Sequence, residues 1–306
     1  MKSHRLRAYV YLLLVAVIWG IAGPVIKLVL GDIPWDILLL YRFLISTLIF
    51  LPFIKPKTLR PLKNIKTLFL VLTYTLLNTT LGLGLLFAGT AKTSLVSMSL
   101  LSLFGPVLTI LGGYFFLKDR ITWTEKWGII ITFLGSFLII IEPVIKFDGV
   151  QGELTGNMLI IGSLITGAIA VIILKELLRK GVDASLLANL NFVVGLVTII
   201  PVVLHLHSIP EITADLSKLT LFDHAGILYL AVFSGTIAYC LSNIAQKSIE
   251  VSEQAVFTYI YPILSTILAV YLLKENITPL SYFGAGITLV GIFVAEVKRR
   301  SRYSSH

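Results

Sequence analysis

Three polar side chains, Tyr239, Asn243 and Gln246, are spaced four and three residues apart within an otherwise apolar run. In an α-helix this spacing places all three on one face. Amides and hydroxyls donate and accept hydrogen bonds without carrying charge, so such a face could line a water-filled cavity and bind a small polar solute. The same groups could instead hold neighbouring helices together inside a membrane. The sequence leaves both roles open.

Other apolar runs carry further candidates for the same cavity, namely Trp19, Tyr74, Asn78, Ser99, Ser102, Thr258 and Tyr261. Pro106 and Pro262 lie near the middle of two of these runs, where each is predicted to kink a helix. Such a proline leaves the carbonyl four residues earlier without its usual donor, here at Ser102 and Thr258. Those carbonyls and hydroxyls could contact a substrate amine or a cation. Alternatively, each hydroxyl repairs its own helix and the kink only shapes packing.

Two cations, Lys27 and Arg42, fall within apolar runs. Ionisable groups at such positions are rare and often functional, and two cations together could bind a carboxylate or a phosphate. Alternatively, Lys27 extends toward the membrane surface and Arg42 pairs with backbone carbonyls or with Asp32. Acidic residues occur only near the ends of the apolar runs, as at Glu142, which disfavours cationic substrates and direct proton coupling.

The motifs of several other protein classes are absent from the sequence. A single cysteine, Cys240, allows neither an intramolecular disulfide nor a cysteine-based metal site. The sequence has no HExxH motif and no Walker motif for binding phosphate. We therefore expect no enzymatic activity, no cofactor and no bound metal. The net charge of +9 does not indicate a nucleic-acid partner, because the basic residues lie mainly in short loops between apolar runs.

The composition indicates a protein that is covered largely by lipid. Hydrophobic residues make up 57% and charged residues 13% of the chain, against roughly 45–50% and about 25% in soluble domains. Helices of about 20 apolar residues cross the hydrocarbon layer. We predict ten, at residues 8–30, 36–54, 67–88, 93–116, 124–141, 155–175, 184–204, 225–246, 255–273 and 279–297. The first is of full spanning length and is interpreted as a membrane helix, not as a cleaved signal peptide.

The distribution of Lys and Arg predicts the orientation of the chain in the membrane. With the N-terminus in the cytoplasm, nineteen basic residues fall in cytoplasmic segments and four in outer ones. Loops rich in Lys and Arg stay on the cytoplasmic side. We therefore expect both termini to lie in the cytoplasm and the protein to reside in the cell membrane, that is, the plasma or inner membrane.

An internal repeat relates the two halves of the chain. Residues 106–122, PVLTILGGYFFLKDRIT, match residues 262–278, PILSTILAVYLLKENIT, at an offset of 156 positions. The match continues in the glycine-rich stretches 128–135 and 284–291, which are predicted to be packing seams, within the chain or between the protomers of a homodimer. Five spans per half is an odd number, so the second copy would cross the membrane in the opposite orientation. The predicted fold is therefore an all-α integral membrane protein with ten transmembrane helices in two inverted five-helix repeats, residues 1–145 and 146–306.

The repeated motif, together with IWG at residues 18–20 and YRF at residues 41–43, resembles the EamA-type modules of the drug/metabolite transporter superfamily. The resemblance covers essentially the whole chain. It implies a ten-helix carrier that exports or exchanges amino acids and related small metabolites. The second half departs from the pattern, because the position expected to match Arg42 falls near residues 189–191 and no WG opens the sixth span.

These features predict a permease or exporter that moves small polar metabolites, amino acids in particular, by alternating access through a central cavity. Spans 1, 3, 4, 6, 8 and 9 would line that cavity, and the expected partners are the small-molecule substrate and membrane lipid. Two alternatives stay open. One is a carrier or flippase for an anionic lipid or sugar-phosphate head group, and the other is a membrane scaffold or receptor that transports nothing.

Overall fold

A computed structural model describes residues 2–117, 123–146, 150–249 and 251–303. All the regular secondary structure within these ranges is helical. Residues 118–122, which carry the second part of the first repeat motif, lie outside the described residues.

The first half of the chain forms α1 (Lys2–Val29), α2 (Trp35–Phe50), α3 (Ile65–Leu76), α4 (Gly82–Lys92), α5 (Leu95–Ser102), α6 (Gly105–Leu117) and α7 (Trp123–Lys146). A π-helical turn, Leu77–Leu81, joins α3 directly to α4. The side chain of Asn64 accepts hydrogen bonds from the first backbone N–H groups of α3. This cap starts α3 after the loop that follows α2.

The second half forms α8 (Val150–Arg179), α9 (Ala184–Leu206), α10 (Ile209–Lys218), α11 (Leu221–Ala231), α12 (Ala238–Ser248), α13 (Val251–Thr258), α14 (Ile260–Leu272) and α15 (Pro279–Tyr303). A π-helical turn, Val232–Ile237, joins α11 to α12. The short helix α10 is held at its start by a capping box between Ser208 and Glu211. It forms the connection between α9 and α11.

Eight helical stretches of the described residues are long and apolar enough to cross a membrane: Arg5–Val29, Trp35–Phe53, Ile65–Lys92, Leu95–Phe116, Gly152–Arg179, Ala184–Leu206, Leu221–Ser248 and Gln254–Leu272. The chain is therefore a multi-pass membrane protein. The predicted fifth and tenth spans correspond to α7 and α15, which fall outside this set. In α15 the apolar stretch Pro279–Val294 is shorter than these spans. The count of ten spans stays a prediction.

Helix boundaries recur at the offset of the sequence repeat. Helices α5 and α13 are related by 156 positions at both ends. The spans predicted as continuous at 93–116 and 255–273 are each broken, one at Leu103 and Phe104 and the other at Tyr259. Each break comes before its proline, so Pro106 and Pro262 lie in the first turn of α6 and α14. A missing N–H costs little in a first turn. The prolines thus begin new helices, and the expectation that they kink continuous ones is corrected.

The first helix of each half packs mainly against helices of the other half. Helix α1 lies against α12 and α14, whereas α8 lies against α4 and α6. We call the first set the α1 bundle (α1, α12 and α14) and the second the α8 bundle (α4, α6 and α8). Helices α5 and α13 connect the two bundles, since α5 packs on α14 and α13 packs on α6.

Helices α7 and α15 pack against each other through the two predicted glycine seams. A Cβ atom on Gly135 would lie 2.6 Å from the carbonyl oxygen of Gly284, and one on Gly291 would lie 2.7 Å from that of Gly128. Only glycine permits backbones to approach this closely. Both seams are therefore filled within the chain, and the expected homodimer would need another surface.

Candidate substrate site

A cavity of about 260 Å³ lies between the two bundles. Of the predicted site residues it is lined by Trp19, Arg42, Tyr74, Asn78, Ser99, Ser102, Pro106, Tyr239, Asn243, Gln246, Thr258, Tyr261 and Pro262. These residues lie on five of the six predicted lining spans, with Arg42 added from the second span, and the sixth span contributes other lining residues such as Ser163. Geometry thus brings them together, and their contact with a substrate stays a prediction.

Among the described residues that line this cavity, Arg42 is the one with a charged side chain. Its side chain is 2% exposed, and its Cζ atom lies 5.5 Å from the centroid of the Phe87 ring. The Nε atom has no hydrogen-bond partner. Among the described residues, no carboxylate lies within salt-bridge distance of Arg42. A buried cation without an anion is costly, and the aromatic ring compensates for only part of that cost. The site is therefore suited to an anionic group.

Lys27 does not line this cavity, so the prediction that it binds substrate beside Arg42 is corrected. Its Nζ atom donates to the carbonyl oxygens of Thr90 and Thr93, at 2.9 and 2.6 Å. Both carbonyls lie at the C-terminal end of α4, where the last turn of a helix lacks intrahelical donors. A cation is favourable at this end of a helix. Lys27 therefore satisfies backbone groups, and neither of the two roles predicted for it, substrate binding or extension to the surface, matches this contact.

The hydroxyls beside the two helix breaks bond to their own helices. Ser102 donates to the carbonyl oxygen of Met98 at 2.8 Å, and Thr258 donates to that of Ala255 at 2.7 Å. This is the repair role that the sequence left as the alternative. A hydroxyl that donates in this way still offers its oxygen as an acceptor, so both groups can receive a hydrogen bond from a bound molecule.

The amides of α12 connect helices and also face the cavity. Asn243 donates to the carbonyl of Ala184 at 3.2 Å, and Gln246 donates to that of Val171 at 3.0 Å. A carbonyl can only accept, so the Val171 contact fixes which end of the Gln246 amide is nitrogen. Its Oε1 atom is left without a partner, as is the Nδ2 atom of Asn78. Both roles proposed for these amides, helix contact and cavity lining, are thus present together.

Aromatic side chains form one wall of the cavity. The ring of Trp19 meets those of Tyr239 and Tyr261 edge-on, with centroids 5.4 and 6.2 Å apart. Its Nε1 atom donates to the carbonyl of Ser234, at 3.0 Å, in the π-helical turn. Tyr74 accepts a hydrogen bond of 3.1 Å from Asn191, which lies where the second half was expected to match Arg42. The wall offers apolar faces with hydroxyl groups at their edges.

Two stretches, residues 6–141 and 154–296, match the model of the EamA-like transporter family. The chain belongs to this family. It is 27% identical to the uncharacterized transporter YetK of Bacillus subtilis (strain 168), across 97% of this chain and 89% of that protein. It is 26% identical to an uncharacterized transporter of Archaeoglobus fulgidus, across 96% of this chain and 100% of that protein.

A solved crystal structure shares the fold of this EamA-family chain. The two superpose with a TM-score of 0.62 over 98% of this chain and 99% of the other, at 14% identity. That likeness concerns the fold alone. The names of the relatives state transport and give no substrate. The identity of the transported molecule must therefore be argued from the cavity.

Sequence reasoning missed several polar residues that line the cavity of this EamA-family protein: Thr109, Ser163, Ser234, Ser242 and Gln254. Gln254 is the most informative of them. It donates to Ser242 at 2.9 Å, and its Oε1 atom has no partner. The ninth span was predicted to start one residue after Gln254, whereas α13 begins at Val251. The spacing of four residues between Gln254 and Thr258 was the signal that both lie on one helix face.

Proposed function

We propose that this transporter moves small polar metabolites with a carboxylate or similar anionic group, amino acids first among them, by alternating access through the cavity. The observation that carries this proposal is Arg42, a buried guanidinium in the cavity wall with an unpartnered Nε atom. A bound carboxylate would supply the missing negative charge and accept two parallel hydrogen bonds.

The remaining wall supports a zwitterion better than a simple anion. The Oε1 atoms of Gln246 and Gln254 lack donors, and the hydroxyl oxygens of Ser102 and Thr258 can also accept. An ammonium group carries three donors and needs such acceptors. The aromatic wall around Trp19 would pack against the apolar part of the substrate.

Alternating access fits the arrangement of the two halves. Residues 1–145 and 146–306 would form the two inverted repeats, supported by helix boundaries that recur 156 positions apart and by the reciprocal packing of α1 and α8. Substrate sites of such carriers lie near the membrane midplane between the repeats. The excess of basic residues in alternate loops supports a location in the cell membrane with both termini in the cytoplasm.

A carrier for an anionic lipid or sugar-phosphate head group is the second candidate. Arg42 favours it as well, because a guanidinium binds phosphate and carboxylate in the same bidentate geometry. The two candidates differ in the rest of the ligand, since a phosphate head group does not require acceptors for an ammonium group.

Counterflow in proteoliposomes tests the proposal. Vesicles loaded with one unlabelled candidate would be supplied with labelled amino acids, organic phosphates or quaternary amines. We expect saturable amino-acid exchange that falls at least about tenfold in Arg42→Gln, because a hydrogen bond to a charged group is worth about 1.5–3 kcal/mol. Arg60→Gln is the matched control, since Arg60 is exposed and lies outside the cavity.

Four results would change the conclusion. Unchanged exchange in Arg42→Gln would remove the anion site. Exchange of quaternary amines alone would contradict the charge argument. Exchange of organic phosphates without amino acids would put the head-group carrier first. Binding of a candidate without any counterflow would favour a receptor.

A further inference from the structure

Lys175 makes in the second half the contact that Lys27 makes in the first. The Nζ atom of Lys175 donates to the carbonyl oxygens of Gln246 and Ile249, at 2.7 and 2.5 Å. These acceptors lie 156 positions after Thr90 and Thr93, the acceptors of Lys27. Thr93 and Ile249 each cap the C-terminal end of a helix, α4 and α12. We call the Lys27 contact the first clasp and the Lys175 contact the second clasp.

Each clasp joins one bundle to the other. Lys27 belongs to α1, in the α1 bundle, and holds the end of α4, in the α8 bundle. Lys175 belongs to α8, in the α8 bundle, and holds the end of α12, in the α1 bundle. The cavity lies between these bundles. Both clasps therefore connect the two sides of the cavity.

The two clasps lie at opposite ends of the molecule. Helices α4 and α8 run antiparallel, because Gly82 lies against Thr166 and Gly89 lies against Gly156. The first clasp is at the α4 end beside Gly156. Lys175 follows Gly156 by nineteen residues of the continuous helix α8, which corresponds to about 28 Å at about 1.5 Å per residue. That length is close to the roughly 30 Å of the hydrocarbon layer, so the clasps lie near opposite membrane faces.

The chemistry of a clasp depends on whether water reaches it. The last carbonyls of a helix have no intrahelical donors, and without water they need another donor. A lysine supplies it through strong charge-assisted bonds. Water that enters from one face can replace the lysine at that face, so a clasp is stable while its face is closed. At the first clasp, Glu275 adds a contact by accepting from the N–H groups of Leu95 and Val96, at 3.0 and 2.8 Å.

We propose that Lys27 and Lys175 are positioning residues that hold the two faces of the cavity closed, and that transport requires the first and second clasps to open in alternation. The helix held at each clasp is followed along the chain by a helix that lines the cavity, α5 with Ser99 and α13 with Gln254. Releasing one clasp would therefore free one end of the cavity wall. The role of the clasps in transport rests on the proposed function. Their effect on the accessibility of the cavity does not.

Labelling of a single cysteine from each membrane face tests the clasps. The probe is Ala168→Cys, a buried cavity position on α8, in a Cys240→Ala background. Impermeant maleimide would be applied to right-side-out and inverted vesicles. We expect Lys27→Met to raise the ratio of labelling from the Thr93 face to labelling from the Ile249 face by roughly fivefold or more. Lys175→Met should shift that ratio by a similar factor in the opposite direction.

Matched controls are Lys92→Met and Lys247→Met. Both lysines lie in the last turns of the same two helices, α4 and α12, and are exposed. Neither control should move the ratio. Should the methionine variants fail to give monodisperse protein, Lys27→Gln and Lys175→Gln keep a neutral donor and should give smaller shifts, still opposite in direction.

Shifts in the same direction, or no shift in folded variants, would overturn the proposal and leave the lysines as static helix caps. Counterflow in the same preparations separates this result from failure of the proposed function. Opposite shifts of the labelling ratio, in a protein that exchanges none of the candidate substrates, would support the clasps and reject the transport proposal. Active exchange with unchanged ratios would reject the clasps and keep transport.

Discussion

Arg42 and Lys27 are both cations within apolar helices, but only Lys27 donates hydrogen bonds to backbone acceptors. Lys27 lies within reach of the last carbonyls of α4, and Arg42 lies against a phenylalanine ring in the cavity wall. The sequence could predict that Arg42 belongs to a site, because a buried guanidinium needs an anion. It could not predict the partners of Lys27, which lie more than sixty residues away along the chain.

Replacing Arg42 by an apolar residue should stabilise the empty protein. Arg42→Met removes a buried charge that lacks an anion, and such a charge is costly to bury. We expect the Tm measured without substrate in detergent to rise by about 2 °C or more, since each kcal/mol corresponds to about 2–4 °C in a domain of 150–250 residues. Arg42→Lys keeps the charge and should give no such rise. A lower Tm in Arg42→Met would show that the guanidinium is satisfied within the protein.

Gln254 and Ser163 show the limit of reading polar residues one at a time. Each lies near the edge of a predicted span or among small residues, so neither stood out from its neighbours. Their place in the cavity wall depends on where α13 begins and on how α8 crosses α4. Those are properties of packing between distant segments, which local spacing does not contain.

At the scale of the helices, the repeat was visible in the sequence but the helix breaks were not. A proline in an apolar run suggests a kink near the proline itself. Here the chain breaks three residues earlier, at Leu103 and at Tyr259, and each proline begins the following helix. Proline is compatible with both geometries, and the choice between them depends on neighbouring helices. The offset of 156 nevertheless predicted that the two breaks would correspond.

The contact between α7 and α15 should depend on Gly291 far more than on Gly286. A side chain at Gly291 would meet the backbone of Thr132 and Gly128, whereas a Cβ at Gly286 meets nothing within 4 Å. We expect Gly291→Leu to lower the Tm or prevent folding through overpacking, which costs about 1–3 kcal/mol or more. Gly286→Leu should stay near the wild-type value. Thermal unfolding of the two purified variants, together with their yields of folded protein, measures this difference. Equal effects of the two would contradict the described contact.

At the scale of the whole molecule, the two repeats do not correspond to two packing units. Each bundle contains helices from both halves, because α1 and α8 have exchanged places. The sequence predicted the duplication from matching residues. It did not indicate the exchange, since helices that pack in either arrangement require the same apolar faces.

A disulfide between two helices that line the cavity, α5 and α14, should stop transport reversibly. The hydroxyl oxygens of Ser99 on α5 and Ser265 on α14 are 3.0 Å apart. Cysteines at both positions, in a Cys240→Ala background, should form a disulfide under oxidising conditions. We expect alternating access to separate α5 from α14 as the cavity opens, so counterflow should fall to background and return on reduction. The two single-cysteine variants are the controls, and full exchange by the oxidised double variant would show that α5 and α14 move together.

The exchanged positions of α1 and α8 also affect the order in which the helices can pack during synthesis. Helix α1 is synthesised long before α14, one of its two main neighbours, which begins at Ile260. Synthesis of the roughly 230 intervening residues takes about 10–50 seconds at about 5–20 residues per second. During that time the Trp19 side chain of α1 lacks its contact with Tyr261 of α14, and for most of it also its contact with Tyr239 of α12. Assembly of the α1 bundle is thus delayed until α14 has been synthesised.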